Sequence, residues 1–77
     1  MPKLPAVRPR ALIRFLEKKG FVLDHVSGSH YIFYHPESHR RAVVPRHNRD
    51  LPPGTLFSLL REAGFTRDEL SSFLGVE

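Results

Sequence analysis

Seventy-seven residues without a single cysteine bound the chemistry before any motif is read: one small domain, no disulfide, no thiolate metal site and no cysteine nucleophile. Hydrophobic residues make up 40% and charged residues 26%, the proportions of a folded globular chain, and no apolar run approaches the roughly 20 residues of a membrane span. The net charge of +4 is unevenly spread: residues 1–49 hold ten cations and three anions, residues 50–77 two cations and five anions, so a basic body that attracts phosphate or an acidic partner is followed by an acidic end.

Residues 1–7 are Pro-containing and read as a loose lead-in to a single domain over residues 1–77. They hold no apolar signal core, so the expected compartment is the cytoplasm. A helix is predicted over residues 8–19. Pro9 suits the first turn, where its missing N–H costs nothing, and Leu12, Ile13, Phe15 and Leu16 form an apolar stripe. Gly20 stops the helix, with Lys18 and Lys19 in its last turn, where the helix dipole favours cations.

Three strands follow: residues 21–26, 30–35 and 40–44. Ser27-Gly28-Ser29 and Pro36-Glu37-Ser38-His39 are the turns between them. Links this short imply consecutive antiparallel pairing. After a Pro-rich loop, Leu56, Leu59, Leu60 and Ala63 mark a second helix over residues 55–63. Thr66-x-x-Glu69 is a capping-box pattern before Leu70, Phe73 and Leu74, which predicts a short third helix ending near Gly75. The expected fold class is α+β: a three-stranded antiparallel sheet with both long helices on one face. The other sheet face is left open as a candidate binding surface.

The five histidines are the most unusual feature of the composition. Metal binding is disfavoured. His30 and His35 are an odd number of residues apart on one strand and point to opposite faces. His35 and His39 flank a turn, with Glu37 the only carboxylate beside them. No serine sits in a nucleophile frame. Histidine, with a reference pKa of about 6.5, exchanges protons near neutral pH. RNA carries its own nucleophile, the 2′-hydroxyl, so cleaving it asks a protein only for a base, an acid and cations for the phosphorane charge. His30 follows Gly28-Ser29, a turn whose freed N–H groups and hydroxyl suit a phosphate oxygen. An ordinary hairpin turn followed by a strand histidine accounts for the same residues.

Five segments together resemble one family. They are Lys19-Gly20-Phe21, Gly28-Ser29-His30, Tyr31-Ile32-Phe33-Tyr34-His35-Pro36, Val43-Val44-Pro45-Arg46-His47-Asn48, and Gly54-Thr55-Leu56 leading to Ala63-Gly64. In this order and spacing they resemble the HicA-type toxins of HicA–HicB toxin–antitoxin pairs, over about residues 10–74. The resemblance implies a fold like a double-stranded RNA-binding domain, α-β-β-β-α, here with a short extra C-terminal helix. It implies a type II toxin, an endoribonuclease (mRNA interferase) that cleaves mRNA without metal or cofactor and is inhibited by a HicB-like antitoxin. His30, the histidine of Gly-Ser-His, is implied as catalytic. One departure stands out. The family tends to carry arginine five residues before that histidine, where this chain has His25. The change either weakens a phosphate contact or makes His25 a proton donor.

Expectations for the other residues follow. A two-residue turn at Ser27-Gly28 pairs His25 with His30, and a three-residue turn shifts the register and breaks that pairing. A catalytic His30 faces solvent, which turns Tyr31 and Phe33 toward the helices and sets Ile32 and Tyr34 on the open face. Tyr34 then either stacks on a base or closes the edge of the core. The RNA-binding candidates are Gly28, Ser29, Lys18, Lys19, Tyr34, Arg40, Arg41 and Arg46. Arg40, Arg41, Arg46 and Arg49 flank the third strand as phosphate contacts or as solvated loop charge. His25 and His47 are supporting candidates, and His47 either orders its loop through Asn48 or touches RNA. A non-catalytic RNA-binding module and a basic protein-interaction module are the competing readings.

Overall fold

The computed structural model describes residues 6–75; residues 1–5 of the expected lead-in, and residues 76–77, lie outside the described residues. The elements run α1 (Pro9–Lys18), β1 (Val22–Ser27), β2 (His30–Tyr34), β3 (Arg41–Pro45), α2 (Pro53–Ala63) and α3 (Arg67–Leu74). This is the expected α+β order, the short third helix included. Pro9 opens α1, and Leu12, Phe15 and Leu16 are its buried stripe. The chain leaves α1 through two backbone bonds, Gly20 N–H to the Glu17 carbonyl and Phe21 N–H to the Leu16 carbonyl, at 3.1 and 3.0 Å. That pair is a Schellman stop, and it delivers Phe21 into the core. α2 starts two residues before the predicted boundary because Pro53 is itself a good first helical residue.

The sheet is a meander of order β1-β2-β3. Its helix-facing rows are Tyr31 opposite Val44 and Phe33 opposite Ala42; its open-face rows are His30 opposite Pro45, Ile32 opposite Val43 and Tyr34 opposite Arg41. Both long helices lie against β3, and Phe33, Ala42 and Val44 are buried beneath them. β1 is covered by neither helix, and all six of its residues are exposed. Phe15 sits at the centre of the packing, edge-on to Phe65 and Phe73 with centroids 5.0 and 5.5 Å away. Burying such a ring contributes about 3–5 kcal/mol relative to alanine.

The lead-in is not loose up to its end. Val7 is 2% exposed, and its carbonyl accepts the Leu51 N–H at 2.7 Å. This backbone clip joins the start of α1 to the loop before α2 and buries one more apolar side chain. Among the described residues, no helix is long and apolar enough to cross a membrane.

Candidate functional site

The site grows from the turn between β1 and β2. Ser27 pairs with His30, so the two turn residues are Gly28 and Ser29. Gly28 has φ +57°, and Ser29 does not share a positive φ. Positive φ at the first central position alone is the II′ pattern, which calls for glycine there and matches the twist of the flanking strands. His30 therefore begins β2 at the end of the open face. It is exposed, while Tyr31 and Phe33 point to the core.

Arg46 closes the site from β3. Its backbone N–H donates to the Ser29 carbonyl at 2.7 Å, and its guanidinium donates to the Gly28 carbonyl at 3.2 Å. The same guanidinium lies 5.3 Å from the centre of the Tyr31 ring, within cation–π range. Held at two points, it keeps most of its five donors for another acceptor. Beside His30, a shallow groove runs between Val43 and Pro45 on the sheet and Thr55, Ser58 and Glu62 on α2.

The structure divides the other candidates between the two ends of the sheet. Arg41 and Tyr34 pair with each other four residues from the Pro45–His30 pair, about 13 Å along the strands. Tyr34 is half-buried, its hydroxyl shares a 2.7 Å hydrogen bond with His39 Nδ1, and Arg41 stacks over its ring at 6.0 Å. Arg40 donates to the Glu62 carbonyl at 3.3 Å, at the C-terminal end of α2. Lys18 and Lys19 are at this same far end, because the Lys19 carbonyl accepts from His35 Nε2 at 3.0 Å. His35 Nδ1 in turn accepts the N–H groups of Glu37 and Ser38. His35 thus ties the end of α1 to the β2–β3 turn. Among the described residues, no group of three or more histidine and carboxylate side chains is placed to hold a metal ion.

His25 does not face His30. The turn falls one residue later than that pairing requires, so His25 pairs with Ile32; the bulge at Asp24 lies beyond His25, away from the turn. That places His25 on the open face, diagonal to His30, and diagonal neighbours stand about 7–8 Å apart. Its Nδ1–H donates to Asp24 Oδ2 at 2.7 Å. His47 Nδ1 accepts the Arg49 N–H at 3.1 Å, so it orders its loop through Arg49 rather than Asn48.

Residues 9–65 match the model of the family described as the HicA toxin of bacterial toxin–antitoxin. The chain belongs to the HicA toxin family. It is therefore the toxin component of a toxin–antitoxin system, with a HicA fold of α-β-β-β-α order. No match is found among curated proteins. The HicA match takes in α1 through α2 and the whole of the turn, His30 and Arg46, but stops short of α3.

The sequence reading overlooked one part of this HicA chain. A groove opens where α1 meets the exit of β3, lined by Arg10, Ile13, Arg14, Tyr31, Arg46 and His47 among others. Arg10 and Arg14 are spaced i, i+4, so they share a helix face, and that spacing was the available signal. It reads equally as a solvated face until Tyr31 and Arg46 are seen across the groove.

Proposed function

We propose that the chain is an endoribonuclease, the mRNA-cleaving toxin of a type II system, acting in the cytoplasm without metal and held inactive by a HicB-like antitoxin. The observation that carries this reading is the exposed His30 at the end of the open face, one residue beyond the Gly28-Ser29 turn, with the Arg46 guanidinium anchored on that turn. A proton-transfer group and a cation held on the turn that precedes it are two things RNA self-cleavage asks of a protein.

In the proposed step, His30 removes the proton of a 2′-hydroxyl. The 2′-oxygen attacks the adjacent phosphorus, the bond from phosphorus to the 5′-oxygen breaks, and the 5′-oxygen leaves with a proton. The products are a 2′,3′-cyclic phosphate and a 5′-hydroxyl end. Arg46 faces the charge that builds on the phosphoryl oxygens. His25 is the candidate for the acid: it shares the open face, Asp24 orients its ring, and a phosphate held between the two imidazoles would span the diagonal.

The test is cleavage of RNA by the purified full chain in the presence of a chelator. His30→Ala is expected to lower the rate by about 10²–10⁴-fold while leaving the fold intact, since the side chain is exposed. Cleavage unchanged in His30→Ala removes the assignment. RNA binding with no cleavage by wild type favours the non-catalytic module instead. Added antitoxin is expected to stop cleavage by the wild-type chain.

A further inference from the structure

We propose that the groove between α1 and the exit of β3 is a phosphate track, which holds the RNA strand where it continues past His30. This rests on the reading of His30 as an RNA-cleaving residue and extends it to substrate binding by Arg10 and Arg14, two residues outside the turn and its strand.

Three observations converge on the groove. First, its charge is one-sided: Arg10, Arg14 and Arg46 line it, and Glu17 is its only carboxylate. Among the described residues, neither Arg10 nor Arg14 forms an ion pair; the ion pairs present are Arg8 with Asp50 and His25 with Asp24. Both guanidinium groups are exposed on the groove, with no hydrogen-bond or ion-pair partner among the described residues. Second, Arg10 and Arg14 are one helical turn apart, about 6 Å along the axis. Successive phosphates of a single strand present a comparable repeat, and a guanidinium fork meets two oxygens of one phosphate.

Third, the groove reaches the turn that precedes the proposed reaction centre. Arg46 lines it, and the same Arg46 is bonded to both turn residues that precede His30. A strand whose reacting phosphate lies between His30 and Arg46 meets α1 with the phosphates beyond it. Tyr31 is not a free stacking platform here, because Arg46 occupies its ring. The groove therefore holds the backbone rather than reading a base. An acidic peptide is the competing occupant. It would need apolar anchors as well as charge, and the groove offers little beyond Ile13 and two prolines.

The experiment measures binding of a single-stranded oligoribonucleotide to the full chain carrying His30→Ala, across a range of KCl concentrations. Each phosphate contact to a single strand adds about 0.7 to the slope of log affinity against log salt. Adding Arg10→Ala with Arg14→Ala is expected to reduce that slope by about 1.4. Both side chains are exposed on a helix, where alanine is well tolerated. Arg61→Ala, on the exposed surface of α2, is the control and is expected to leave the slope unchanged.

An unchanged slope in the double variant overturns the track, as does an equal fall in Arg61→Ala, which would reduce the effect to net charge. If the chain with native His30 still cleaves RNA in either case, the nuclease reading survives without the groove. If the double variant keeps its RNA slope but loses the antitoxin, the groove belongs to the protein partner and the proposal fails. A chain that neither binds nor cleaves RNA removes both readings.

Discussion

Arg40 and Arg46 are six positions apart in one basic segment, and the fold gives them different work. Arg40 donates to a helix-end carbonyl, that of Glu62; Arg46 is pinned to the turn beside His30. Arg40→Ala is expected to act on stability, lowering the unfolding free energy by up to about 1 kcal/mol in urea titration, as for one exposed hydrogen bond. Arg46→Ala is expected to act on cleavage, slowing the rate by about 10²-fold, as for loss of one donor to developing negative charge. Equal rates in the two variants would break the assignment of Arg46. His25 poses a separate question at this scale. As the acid, it should cost about 10²-fold or more on conversion to alanine; as a lost arginine contact, the change should weaken RNA binding and leave the single-turnover rate alone. A single-turnover assay at saturating RNA separates the two.

At the level of elements, the first hairpin turns on Gly28. A residue with a Cβ at φ +57° carries about 1–2 kcal/mol of strain, and no neighbouring atom would clash with it. Gly28→Ala is therefore expected to cost about that much in thermal or urea unfolding. Gly20→Ala is expected to cost more. There the new Cβ would stand 2.9 Å from His35 Nε2, at φ +97°, and would press on the bond that ties α1 to the β2–β3 turn. The third helix depends on its cap. Thr66 Oγ1 accepts the Glu69 N–H, and Glu69 Oε1 accepts the Thr66 N–H, at 3.2 and 2.9 Å. Thr66→Ala should cost about 1 kcal/mol of stability, with cleavage unaffected because α3 is remote from the turn. The capping box was legible because its partners are three residues apart. The turn position was legible only in part: Gly-Ser is itself a II′ pair, but Ser27-Gly28 competed with it, and the bulge at Asp24 left no mark on the local pattern.

For the whole molecule, the core is lopsided. It lies under β2 and β3, between α1 and α2, and leaves β1 as an edge strand with Val22, Leu23 and Val26 about half exposed. Leu23→Ala is therefore expected to cost less than about 1 kcal/mol. Phe33→Ala, one strand inward and 2% exposed, should cost about 3–5 kcal/mol. A domain of this size holds only about 4–12 kcal/mol in total, so the second change should leave little folded protein at growth temperature. Similar urea midpoints for the two variants would contradict this account of the core. α3 belongs to the same core, although it lies beyond the segment that matches the HicA family: Leu70 is fully buried, and Phe73 packs on Phe15.

The element order, the helix stops and the open sheet face were all determined by the sequence itself. Each depends on periodicity or turn chemistry acting over a few residues, which neighbouring side chains encode directly. The tertiary structure alone decided which distant groups meet. It brought Arg46 to a turn eighteen residues earlier in the chain, set Arg10 and Arg14 across a groove from Tyr31, and sent Arg40, Arg41 and Tyr34 to the opposite end of the sheet. It also moved His25 from a place opposite His30 to a diagonal one. These placements follow from strand register and from how the helices lie on the sheet. A one-residue change in register re-pairs every side chain along a strand, and no local pattern records which register is chosen.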